Sequence, residues 1–239
     1  MSTSLIFGKG QIVEGVGLVK PITLNKYDFF QEKSSVLYYS KAHFGDEYET
    51  QFLLDLIVWG LNQNELVTDL IDLFKLTISD NITFFANSID DYGFIIDEVN
   101  LINKNNYDQI RSLIMRQNLM NEQKVYKDKL VQEWANKALE AKNRKGIKMT
   151  FEDMLSTVSV YAGKHYSDLA KYTIYQLQSD FNRIGKLIDY DATISFKCAG
   201  DTKSQLNHYA EHVDLFRDPN DDLFVSQDKL KGLNQAMGN

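Results

Sequence analysis

The chain has 239 residues, 44% hydrophobic and 25% charged, a composition that supports a packed core in one large or two small domains and excludes wholesale disorder. A net charge of −7 argues against a general attraction to nucleic acid or to an anionic membrane surface. The single cysteine, Cys198, excludes an intrachain disulfide and reads as a small buried side chain in a reducing compartment rather than as a nucleophile.

Residues 1–7 lack the basic stretch and apolar run of a signal peptide. The most apolar stretch, residues 52–61, is broken by Asp55 and is about half the length that a membrane span needs. Pro21 and Pro219 are the only prolines, so the long stretch between them permits long helices. Abundant Asn, Lys, Ile and Asp suggest an AT-rich genome.

In chain order, residues 5–24 read as extended, with β-formers Ile12, Val13, Val16, Leu18 and Val19 punctuated by Gly8, Gly10, Gly15 and Gly17. A helix capped by Asn25 is expected over residues 26–39. Apolar residues at helical spacing, first at Phe52, Leu53, Leu56 and Ile57 and then at Leu66, Leu70, Leu73 and Phe74, predict a helical pair. The period then changes. Ile82, Phe84 and Phe85, a turn at Asp90-Asp91-Tyr92-Gly93, and Phe94, Ile95 and Ile96 predict a β-hairpin. An amphipathic helix over residues 107–120 buries Ile110, Leu113 and Ile114, with Arg111 and Arg116 flanking that side.

Residues 122–145 form the most polar helix, whose narrow stripe includes Val131 and Trp134, and the run from Lys142 to Lys148 around Gly146 is the candidate linker. Thr150 and Asp153 have the form of a capping box, and Gly163 is placed to end the helix that follows. Ser167 would cap a short helix, and Ile174, Leu177, Phe181, Ile184 and Ile188 mark a longer one. Residues 206–216 also read as helical, with a turn at Asp218-Pro219-Asn220-Asp221 and a tail that frays or serves interaction. The expected fold is α+β, mainly α: an N-terminal β-element and a central β-hairpin with helices, followed by a C-terminal helical module. The expected domains are residues 1–145, mixed α+β, and residues 146–239, helical.

One motif carries a chemical signal. His208-Tyr209-Ala210-Glu211-His212 matches the inverted zinc-peptidase pattern H-x-x-E-H, in which two imidazoles on one helical face grip zinc and the glutamate activates water. Such a zinc needs a third protein ligand, and no glutamate follows Glu211. Asp214 or Asp218 would make a crowded substitute. Two solvated or capping histidines are the plainer reading, and no metal, cofactor or catalytic residue is assigned. Gly8-Lys9-Gly10 lacks the third glycine of a dinucleotide fingerprint, and Gly15-Val16-Gly17 leads into no phosphate loop, so both read as turns. Acidic pairs such as Asp69 with Asp72 or Asp90 with Asp91, and the isolated His43 and His165, read as surface or structural groups. The basic cluster at Lys142, Arg144 and Lys145 reads as a solvated helix end. Aromatic residues, Trp59 and Trp134 among them, are spread over nearly all helices; most serve the core, and a minority left exposed would suit protein binding.

Three stretches resemble phage proteins encoded among tail and baseplate genes of phages of low-GC Gram-positive bacteria. They are Gly17-Leu18-Val19-Lys20-Pro21-Ile22-Thr23-Leu24 with Tyr27 and Tyr38-Tyr39-Ser40-Lys41; Asn106-Tyr107-Asp108-Gln109-Ile110-Arg111 on to Arg116-Gln117-Asn118; and residues 156–180 around Thr173-Ile174-Tyr175-Gln176-Leu177. The third is also similar to the C-terminal portion of tail assembly chaperones. The resemblance implies a non-enzymatic, chaperone-like binding factor. Its expected partners are other tail or baseplate proteins, the tape-measure protein among them, and its expected location is the host cell cytoplasm. A structural virion subunit and a zinc metallopeptidase using His208, Glu211 and His212 are the alternatives. No nucleic-acid or membrane partner is expected.

Overall fold

Close backbone approaches govern the N-terminal β-element. In the computed structural model, which describes residues 4–61, 63–122, 124–126, 129–145 and 149–217, strands β1 (Gln11–Val13) and β2 (Gly17–Val19) pair antiparallel, Gln11 opposite Val19. Gly15 and Gly17 adopt positive φ in the connecting turn. A Cβ at Gly10 would lie 2.5 Å from the Val19 carbonyl oxygen, so glycine there serves strand approach. Val13, Val16 and Val19 face the core, while Ile12 faces solvent.

The helix expected over residues 26–39 is divided into α1 (Tyr27–Lys33) and a 3-10 turn, Ser34–Tyr38. Helix α2 (Leu53–Asp55) passes directly into a π-helical turn, Leu56–Gly60, and α3 (Asn64–Thr77) follows. Strands β3 (Ile82–Ala86), β4 (Tyr92–Ile96) and β5 (Asn100–Ile102) form an antiparallel meander with β4 in the centre. The hairpin is as expected, except that Tyr92 and Gly93 belong to β4 rather than to the turn; β5 is an addition, too short to show a period. Helix α4 (Tyr107–Gln117) adds Tyr107, Ile110, Ile114 and Met115 to the same core, in which Phe94 is edge-on to Phe74 at 5.1 Å. Arg111, expected to flank the apolar side of this helix, is buried instead.

Contacts divide the chain into two compact units, Met1–Gln123 with Thr150–Leu215, and Lys124–Met149 with Phe216–Asn239. The second contains α5 (Lys129–Lys145), which begins later than residue 122. The expected boundary near residue 145 thus compares with breaks at 123/124 and 149/150, and Thr150–Leu215 is grouped with the N-terminal residues.

Within the first unit, α6 (Phe151–Ala162) opens on the expected capping box. Thr150 Oγ1 accepts from the Asp153 amide at 3.1 Å, and the Asp153 carboxylate accepts from the Thr150 amide at 2.8 Å. Gly163 closes the helix in the left-handed conformation. Helix α7 (Tyr166–Leu169) is capped at His165 rather than Ser167, without a side-chain bond. Helix α8 (Ile174–Cys198) opens on a second capping box, Thr173 with Gln176. It runs ten residues past Ile188, because nothing breaks it before Gly200 at positive φ. The backbone of Leu24 and Asn25 donates to the carbonyls of Tyr172 and Ala170 at 2.8 and 3.0 Å, and Tyr27 stacks on Phe151 at 4.6 Å. Leu24 thereby completes the core formed by Val158, Leu169, Ile174, Leu177 and Ile184. The protein is α+β and mainly helical.

Tyr107 is fully buried, and its hydroxyl has no hydrogen-bond partner among the described residues. Burial also raises its pKa above the ordinary tyrosine value. Tyr107→Phe removes an unsatisfied polar atom without creating a cavity worth the name. It should leave stability unchanged or raise it by about 1 kcal/mol; a lowered urea midpoint would contradict this account.

Candidate functional site

Residues 201–214, which contain the histidine motif, are not helical. Arg183 on α8 takes up backbone acceptors that a helix would need. Its Nη1 donates to the Tyr209 carbonyl and, at 3.0 Å, to the Glu211 carbonyl. Lys186, one turn along, pairs with the Glu211 carboxylate at 2.9 Å. His208 stacks on Tyr209 at 4.5 Å, and both rings lie against Tyr190 of α8. The segment is therefore a strap along α8, held by a guanidinium, an ion pair and an aromatic trio.

This geometry bears on what the motif can do. The Lys186 ammonium holds Glu211 below the usual carboxylate range, which makes it a poorer base. The stabilisation from that pair is present above the ordinary glutamate pKa and is lost as the pH falls through the lowered one. His208 Nδ1 accepts from the Ala210 amide at 3.1 Å, so that ring nitrogen is engaged by the backbone. No group of three or more His, Cys, Asp or Glu among the described residues is arranged to hold a metal ion. Asp218, the turn after it, and the side chains of Lys142, Arg144 and Lys145 lie outside the described residues.

The other candidate groups also have local roles. His43 Nδ1 caps at Ser40, Asp69 pairs with Lys33 at 3.3 Å, and Cys198 is exposed rather than buried as expected.

The more unusual surface lies where α2 meets β4. At the π-helical turn the Leu61 amide donates to the Leu56 carbonyl at 3.0 Å, an i to i+5 bond. Such turns are rare and are often found at functional positions. Trp59 stands on this turn, 40% exposed, with its ring edge-on to Tyr92 at 5.4 Å. The Tyr92 hydroxyl donates to Asp55, and burial, then the Asp55 carboxylate, pushes its pKa up. Phe52, also 40% exposed, lies under Lys104 Nζ at 5.6 Å from its centroid. The same ammonium pairs with Asp90 at 3.0 Å. Phe52, Lys104, Asp55, Tyr92 and Trp59 thus form one patch. The helical spacing of the apolar positions in residues 52–61 predicts a helix but does not signal that Phe52 is left partly exposed.

Comparison with known proteins adds kinship. The family described as YomV second domain matches residues 141–214, which takes in α6 to α8 and the strap. The SPbeta prophage-derived uncharacterized protein YomV of Bacillus subtilis (strain 168) is 25% identical over 143 residues, 59% of this chain and 58% of that protein. The matched region thus spans less than two thirds of that relative. Together the two matches indicate a phage-derived protein. No solved structure matches. Among the described residues no helix is long and apolar enough to cross a membrane.

Proposed function

We propose that the protein is a non-enzymatic binding factor in phage tail or baseplate assembly, acting in a chaperone-like way in the host cytoplasm on another tail component. The observation that carries the binding part is the patch built on Phe52 and Trp59, two large aromatics each 40% exposed beside the Tyr92–Asp55 hydrogen bond. A side chain of that size left in water, with its hydroxyl-bearing neighbour already satisfied by Asp55, is the usual form of a protein-binding anchor. The phage setting is supported by the prophage likeness and by the tail-gene resemblance of residues 17–24, 106–118 and 156–180. A structural subunit of the virion would use the same kind of surface.

Affinity capture of the tagged chain from infected cells tests the binding reading. A tail or baseplate component should be recovered by the wild type and reduced at least tenfold with Phe52→Ala and Trp59→Ala together. Equal recovery by the double variant would sink this assignment of the surface. Mass spectrometry of purified virions separates the two roles: an assembly factor is absent, and a subunit is present in fixed stoichiometry.

A further inference from the structure

Resting on the binding reading above, we infer that the Phe52–Trp59 surface takes a basic partner segment, in which lysine or arginine side chains flank an apolar anchor. The charged residues of the segments that build and flank the patch are mostly acidic. Asp90 and Asp91 are exposed at the tip of the β3–β4 hairpin, beside the 67% exposed Ile89. Glu47 and Glu49 are exposed in the stretch that leads into Phe52, and Asp55, three residues after Phe52 and four before Trp59, is half-buried. Two cations lie close to these residues, and only Lys104 meets a carboxylate. Lys41 is directed to the Glu49 backbone carbonyl at 3.2 Å, and Lys104 is shared between Asp90 and the face of Phe52.

Lys104 shows what this surface favours: an ammonium held between a carboxylate and an aromatic face. Trp59 and Asp55 both lie against Tyr92, so a second aromatic and a second carboxylate are close together, and indole is the best of the aromatic faces for a cation. An acidic partner would be repelled by the exposed carboxylates, and a neutral apolar one would gain nothing from them. A basic segment with an apolar anchor satisfies both the rings and the rim.

The test uses the full chain and two fluorescent 18-residue amphipathic peptides with identical leucine faces, one with a lysine polar face and one with a glutamate polar face. Fluorescence anisotropy should show the lysine peptide binding at least tenfold more tightly, with affinity falling as salt rises. Phe52→Ala with Trp59→Ala should weaken it tenfold or more, and Asp90→Asn with Asp91→Asn several-fold. Glu152→Gln with Asp168→Asn, which removes the same charge on α6 and α7, should change it less than twofold. That last pair distinguishes the patch from the general pull of an acidic chain. Equal binding of the glutamate peptide, or an equal loss with the α6 and α7 variants, would overturn the inference. So would the absence of binding by either peptide. If a tail component is nevertheless captured through Phe52 and Trp59, the binding reading survives and only the basic partner class fails. If capture ignores those residues, both fall.

Discussion

Arg111→Ala should lower stability by about 3 kcal/mol, read as a fall in the urea midpoint with circular dichroism. The side chain leaves α4 into the core, where it is 5% exposed. Its Nε donates to the Leu37 carbonyl at 2.8 Å, and its Nη2 pairs with Glu122 at 2.8 Å. Truncation leaves the Leu37 carbonyl buried without a partner, at about 1–3 kcal/mol, and empties the volume of the aliphatic stem. Against a total of about 5–15 kcal/mol for an ordinary domain, that is a large fraction. Arg111→Lys should fall between, because an ammonium is a single point charge and cannot reproduce the fork that reaches both partners. Glu122→Gln should cost less than Arg111→Ala, because the Glu122 side chain is 54% exposed and water replaces much of what is lost. A loss below about 0.5 kcal/mol for Arg111→Ala would show that the 3-10 turn, Ser34–Tyr38, is held by apolar packing alone.

The elements readable in advance are those whose information is local. Thr150 and Asp153 are three residues apart and mark the start of α6, and Gly163 marks its end because the backbone there takes the left-handed region. The turn between β3 and β4 is likewise local, although Asp90 and Asp91 signal it while Tyr92 and Gly93 continue into the strand. What the local pattern does not carry depends on distant partners. Residues 206–216 have a helical pattern of apolar positions, but Arg183, more than twenty residues earlier, claims the Tyr209 and Glu211 carbonyls. Arg111 looks like a flanking charge until Leu37, far away in the chain, offers it an acceptor. The patch was hidden for a related reason. Residues 52–61 are apolar enough to be core, and Leu53, Leu54, Leu56 and Ile57 are. The π-helical turn changes the period by a fraction of a residue within a single turn, too little to show in the sequence, and it is this turn that carries Trp59. The bond that steadies the base of the patch joins Asp55 to Tyr92 across 37 positions.

Gly93→Ala is the substitution that should connect the fold to the patch. A Cβ at Gly93 would lie 2.5 Å from the Ile102 carbonyl oxygen and 3.1 Å from Leu101 Cδ1. The methyl could be accommodated only by moving β5, and β5 is tied on both sides. The Leu101 amide donates to the Gly15 carbonyl at 3.0 Å, and the Asn106 side chain donates to the Leu101 carbonyl at 2.8 Å. Ile102, opposite Phe94, is fully buried, so a shift of β5 also disturbs the core. Overpacking of this kind costs about 1–3 kcal/mol. Hydrogen exchange should speed up in β4 and β5 ahead of α6 and α8, and binding at the patch should weaken, because Tyr92, which holds Asp55, is the next residue along. Gly60→Ala is the matched control: no atom lies within 4 Å of the added Cβ, and its φ is not in the left-handed region. That variant should be as stable as the wild type or gain about 0.4–1 kcal/mol by restricting the unfolded chain. Equal stability of the two variants would mean that the β5 end yields freely, and the patch would then rest on the Asp55–Tyr92 bond without support from the sheet.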